Sequence, residues 1–148
     1  MSAVVLVAVA LFVAAPSALA QGSRNFHADL AAEWQTKYTE SPATGRADFH
    51  LDLATLTFSW EITFKDLLAP VTTVRVHGPA QPGANGGVML EIAGKGAKSP
   101  LKGEAKITEA HVQYLLYGWT YLNITTEKYP LGEIRGQLDV RAPQEARQ

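Results

Sequence analysis

Apolar side chains recur at every second position over much of this chain, and that rhythm restricts the fold more than any other feature. Phe26, Ala28 and Leu30 alternate with His27 and Asp29, and the pattern continues to Trp34. Ala47, Phe49, Leu51 and Leu53 alternate with Arg46, Asp48, His50 and Asp52. Leu56, Phe58, Trp60, Ile62 and Phe64 repeat it with Thr, Ser and Glu between them. Successive side chains point to opposite faces only where the chain is extended, so each run reads as a half-buried antiparallel strand. A helix would scatter the same residues around its circumference.

Turn-forming clusters separate the runs: Ser41 to Gly45, Asp66 to Pro70, and Gly78 to Gly87. Thr73, Arg75 and His77 alternate with Val74 and Val76 until Gly78 and Pro79 stop the strand. Further strands are expected at Val88–Ile92, Leu101–Ile107, Trp119–Thr126 and Gly132–Val140. Val88, Leu90 and Ile92 should share one face; Ile134, Leu138 and Val140 should share another, with a bulge at Gly136. The exception is Thr108 to Tyr117, where Thr108 is suited to cap a short helix and Val112, Leu115 and Leu116 have helical spacing. Many short strands and one short helix predict an all-β sandwich or barrel.

The N-terminus reads differently. Val4 to Ala15 is a nearly unbroken apolar run, followed by Pro16, Ser17 and the small-residue pattern Ala18-Leu19-Ala20. This predicts a cleaved export signal over residues 1–20, although Met1-Ser2-Ala3 lacks the basic residues usual ahead of such a run. The run is short for a bilayer span, which takes about 20 apolar residues. Residues 21–140 then form one domain, residues 141–148 a flexible polar tail, and no later run is long enough to span a membrane. The expected location is the periplasm or the extracellular space. The chain has no cysteine, so this exported domain relies on core burial, without disulfides, and thiolate chemistry is excluded. A formal charge of −1 gives no electrostatic footprint for nucleic acid.

Three segments carry the candidate site residues. His77, at the mouth of its strand, reads either as a histidine hydrogen-bonded to a neighbouring loop or as a metal ligand or proton donor. His27 and His50 on polar strand faces, and His111 in the helix, read as solvated surface residues. In the second segment Tyr121, Asn123 and Thr125 share one strand face, and Asn123-Ile124-Thr125 also fits a glycosylation sequon. In the third, Glu133, Arg135 and Gln137 share a face as a polar stripe or a weak surface ion pair. No nucleophile elbow, phosphate loop or zinc-protease helix is present.

Taken in order, Ala43-Thr44-Gly45 leading into an alternating strand, His77-Gly78-Pro79-Ala80, Tyr121 to Thr126, and Tyr129-Pro130 with Gly132-Glu133-Ile134-Arg135-Gly136-Gln137-Leu138 resemble the CHRD family. That is the domain first named from chordin and common in bacterial exported proteins. The resemblance covers Phe26 to Val140 and implies an antiparallel β-sandwich of Greek-key, immunoglobulin-like or superoxide-dismutase-like form. Many members carry His-x-His before Gly-Pro-Ala and a third histidine in an Asn-Val-His-Thr segment, a set suited to copper. In this chain Arg75 stands at the first of those positions, His77 keeps the second, and Thr125 takes the third. Arginine cannot ligate a cation.

No cofactor is therefore expected. The ligand-binding candidates are Arg75, His77, Asn123, Thr125, Glu133 and Arg135. Arg75, His77 and Thr125 would hold an anion if they converge, or else form a structural network with Glu133. The reading is a non-enzymatic binding or structural module whose partner is an unknown protein or a small anionic ligand. The alternative is a copper-binding or superoxide-dismutase-like metalloprotein with a degenerate site around His77.

Overall fold

The computed structural model describes residues 22–141. The expected signal segment 1–20 and nearly all of the expected polar tail 141–148 lie outside them. Nine strands run antiparallel: β1 Ser23–Ala31, β2 Thr44–Asp52, β3 Thr57–Lys65, β4 Val71–His77, β5 Val88–Ala93, β6 Leu101–Lys106, β7 Tyr121–Thr126, β8 Ile134–Gln137 and β9 Asp139–Val140. One helix, α1 Glu109–Leu116, and a 3-10 turn over Ala32–Trp34 complete the elements. The strands join in a single sheet of order β5-β4-β7-β8-β1-β2-β3-β6, with β9 beside β1. The architecture is all-β and antiparallel, one nearly closed, barrel-like sheet. Among the described residues no helix is long and apolar enough to cross a membrane.

Alternation explains the core. Phe26, Ala28 and Leu30 of β1, Ala47, Phe49 and Leu51 of β2, and Phe58 and Ile62 of β3 are all buried. Phe49 stacks on Phe58 with centroids 4.9 Å apart, and Phe26 meets Phe58 edge-on at 6.3 Å. Val74, Val76, Leu122, Ile124 and Ile134 supply the other half of the core. Thr108 caps α1 as the sequence predicts, its Oγ1 accepting the His111 N–H at 3.2 Å, and Val112 and Leu115 turn inward.

Several boundaries differ from the sequence reading. The first strand ends at Ala31, and Trp34 is the exposed last residue of the 3-10 turn that follows. The seventh begins at Tyr121, not at Trp119. The last run divides into β8 and β9; Ile134 and Leu138 are buried while Val140 is exposed. Gly136 is not a bulge, since it pairs with Leu122 in unbroken register. Its role is close approach, because a Cβ there would overlap the Asp29 carbonyl of β1. Val88 is exposed, whereas Leu90 and Ile92 of the edge strand are partly covered.

Candidate functional site

β7 lies between β4 and β8, and the odd-numbered side chains of the three strands, from Thr73 onward in β4, share the face turned away from the core. Register sets Thr73 opposite Thr125, Arg75 opposite Asn123, and His77 opposite Tyr121. On the other side of β7, Asn123 faces Arg135 and Tyr121 faces Gln137.

Tyr121 is the centre of this face. The His77 ring stacks on it at 5.0 Å with 6° between planes, and the Arg135 guanidinium lies 3.4 Å from its centroid. The three come from adjacent strands: pairing sets His77 directly opposite Tyr121, and Arg135, paired with Asn123, reaches the Tyr121 ring diagonally. All three hold the Ala80–Gly87 loop over the sheet. His77 Nδ1 and the Gly86 carbonyl are 3.0 Å apart, and the Gly86 N–H donates to the Tyr121 hydroxyl at 3.0 Å. A carbonyl only accepts, so Nδ1 carries the hydrogen and the neutral ring keeps its lone pair on Nε2. Burial pushes the His77 pKa below the ordinary imidazole value; the Gly86 hydrogen bond opposes this, and the charges of Arg75 and Arg135 add to it.

Arg135 is only 2% exposed. It donates to Asn85 Oδ1 at 3.0 Å and to the Ala84 carbonyl at 2.6 Å. Among the described residues no carboxylate lies within ion-pair distance of it. Removing a charge from water without a counter-ion costs several kcal/mol. The Tyr121 face and two oxygens offset part of that cost. Burial correspondingly lowers the affinity of the guanidinium for its proton.

Above this stack is a cleft of about 520 Å³, floored by Tyr121, Asn123 and Arg135 and walled by residues 35–39 and 128–132. Lys37, Lys128, His77 and Arg135 line it, and no Asp or Glu does. Asn123 ties the walls together, accepting from Gln35 Nε2 at 2.9 Å and donating to the Leu131 carbonyl at 3.1 Å. With both ends of its amide engaged and 7% of its surface exposed, Asn123 is closed to a glycan in this fold, whatever its sequon.

Of the predicted site residues, His77, Asn123 and Arg135 meet at this cleft. The others go elsewhere. Arg75 forms an ion pair with Glu91 of β5, its Nη2 2.9 Å from Oε2. Thr125 Oγ1 sits 2.6 Å from Thr72 Oγ1 and 2.7 Å from Thr73 Oγ1. Arg75, His77 and Thr125 thus share a face without converging. Glu133 departs from the expected stripe altogether. Its carboxyl accepts from Ser41 Oγ at 2.6 Å, the Leu68 N–H at 2.7 Å and Thr126 Oγ1 at 2.7 Å. Gly132, at φ +137°, turns the chain before β8 begins at Ile134, so the alternation that links Arg135 with Gln137 does not reach residue 133. Glu133 therefore joins no network with Arg75, His77 or Thr125.

The donors around His77 do not fit copper. Its Nδ1 is held by Gly86, Arg75 is ion-paired, and Thr125 belongs to a hydroxyl ladder. Among the described residues no three His, Asp or Glu side chains gather as a ligand set. His50 is exposed and bonded to Asn25 Oδ1 at 2.8 Å. His27 and His111 are half-buried with shielded, unpartnered Nδ1 atoms, so they are not the solvated residues the sequence implied.

Sequence reasoning left Tyr121 out of the site although it named its strand face. Gln35, Lys37 and Asn85 lie in loops with no periodic signal, and only tertiary contact brings them to the cleft. Fold and site define an antiparallel all-β domain whose sequence motifs converge on one arginine-centred cleft. The family model for the CHRD domain matches residues 26–138, and the chain belongs to the CHRD domain family. No curated protein and no solved structure gives a significant match.

Proposed function

We propose that this CHRD-domain protein is an exported, non-enzymatic binding module that takes a small anionic ligand in the cleft above β4, β7 and β8. The observation that carries this is the buried Arg135, without a carboxylate partner among the described residues, beneath a cleft lined by further cations and no acid. An incoming anion would supply the missing counter-charge where water is partly excluded and electrostatics are strong. With no carboxylate beside His77, the cleft lacks the usual acid–base pair, which supports binding over catalysis. Export rests on the Val4 to Ala15 run and Ala18-Leu19-Ala20. The same proposal takes the two halves of the sheet to face each other as a sandwich. The copper reading draws no support from the donor set around His77.

Titrating isotope-labelled protein with benzoate and with its neutral isostere benzamide tests the anion reading. Benzoate should give saturable amide shifts at Gly86, Tyr121 and Arg135, and Lys37→Glu with Lys128→Glu should weaken it roughly ten-fold. Equal response to benzamide, or no response to either, would end this reading.

A further inference from the structure

We infer that the ligand of this cleft is amphiphilic, an anionic carboxylate or phosphate head joined to an apolar chain or ring. The inference rests on the anion reading above and adds to it the chemistry of the mouth. Tyr38 and Leu131 are the two most exposed large hydrophobic side chains among the described residues, at 74% and 72%. They come from segments far apart in sequence, yet both line this one opening. Scattered exposed apolar residues are ordinary, but two meeting at the lips of a cavity mark a surface that binding would cover.

The cleft is graded from floor to mouth. At the floor are the Arg135 guanidinium and the Tyr121 and His77 rings; at the lips Tyr38, Pro130 and Leu131 stand with Lys37 and Lys128. Lys128 Nζ lies 5.4 Å from the Tyr129 ring centroid, and neither Lys37 nor Lys128 has an ion-pair partner among the described residues. A bare hydrophilic anion would satisfy the floor and leave the lips in water. A neutral amphiphile would cover the lips and leave Arg135 without a counter-charge. Neutral hydroxyl-rich ligands find few free partners, because Asn123 and Asn85 already use both ends of their amides. Only an anion with an apolar body matches both layers.

Acetate, octanoate below its micelle concentration and neutral octyl glucoside are titrated into the protein, with amide shifts and calorimetry as readouts. Octanoate should bind at least about ten-fold more tightly than acetate, because its chain covers the lips. The exposed pair Tyr38→Ser with Leu131→Ser should erase that gain and leave the acetate shifts unchanged. Sedimentation with phosphatidylglycerol vesicles separates the sources. Co-pelleting assigns the head to an anionic lipid, and octanoate binding without pelleting assigns it to a free acid, each in keeping with the inference. Equal affinity for acetate and octanoate overturns the amphiphile while the anion site stands. Octyl glucoside binding as well as octanoate overturns it too, and silence from both anions removes the parent reading.

Discussion

Glu133 and Arg135 stand two residues apart, both almost wholly buried, and satisfy their charged groups in different ways. Glu133 is surrounded by donors from three segments, a hydroxyl at Ser41, another at Thr126 and the Leu68 N–H. It stitches the 35–43 loop and the β3–β4 connection to the end of β7, and Thr39 reinforces the stitch by donating to its carbonyl at 2.9 Å. Arg135 has stacking, two neutral oxygens and an open cleft. A carboxyl with its donors matched is a structural anchor; a guanidinium without a carboxylate partner among the described residues is the group that the proposed anion would meet. Truncating Glu133→Ala strands the buried Thr126 hydroxyl, removes the acceptor of Ser41 and the Leu68 N–H, and should cost about 3 kcal/mol. Glu133→Gln keeps an acceptor for Ser41 and Leu68, and Thr126 can rotate to accept, so about 1 kcal/mol is expected. Urea midpoints ranking wild type above Gln above Ala check this, and equal Gln and Ala midpoints would refute it. The two residues sit at alternate positions, so sequence placed them on one face; the φ of Gly132 separates them.

At the scale of elements, the β7–β8 turn and α1 show what local sequence can and cannot reveal. Thr108 followed by Val112 and Leu115 was legible because capping and helical spacing act within a few residues. The turn was legible only as a motif. Gly132 has a φ of +137°, and a Cβ on it would overlap Asn123 Oδ1 and the Gln35 amide, which arrives from another loop. Thr108→Ala should cost about 1 kcal/mol, the usual loss of a cap. Gly132→Ala combines backbone strain with a broken Gln35–Asn123 bridge and should cost about 3 kcal/mol. It should also raise hydrogen exchange in the 35–39 wall, which the cap variant leaves alone. Equal losses and unchanged exchange would show that the turn bears no such coupling. The strands were largely legible too, because period two survives wherever one face is buried, and it failed at Trp34, which ends the 3-10 turn, and at Val140, which is exposed at the end of the two-residue strand β9.

Over the whole molecule, stability should carry the signature of a histidine held neutral. Burial lowers the His77 pKa in the fold, so the unfolded chain takes up that proton first as pH falls. The contribution of His77 is complete above about pH 6.5, the unfolded value, and is lost as pH drops through the lower folded value. The melting temperature should therefore fall more steeply between pH 7.5 and pH 5 for wild type than for His77→Gln, and parallel slopes would contradict the assignment. The expected sandwich or barrel emerges as a continuous antiparallel sheet because both readings share the same alternation, and alternation is silent on which strands pair. Sequence alone determined what depends on neighbours along the chain: the strand faces, the helix cap, the absence of disulfides and the family motifs. Tertiary structure decided what depends on neighbours in space. It joined β4, β7 and β8 so that Tyr121 lies between His77 and Arg135, paired Arg75 with Glu91, turned Glu133 inward, and closed two unpatterned loops over a buried cation. Pairing order and loop contacts arise between residues remote in sequence, and no local periodicity encodes them.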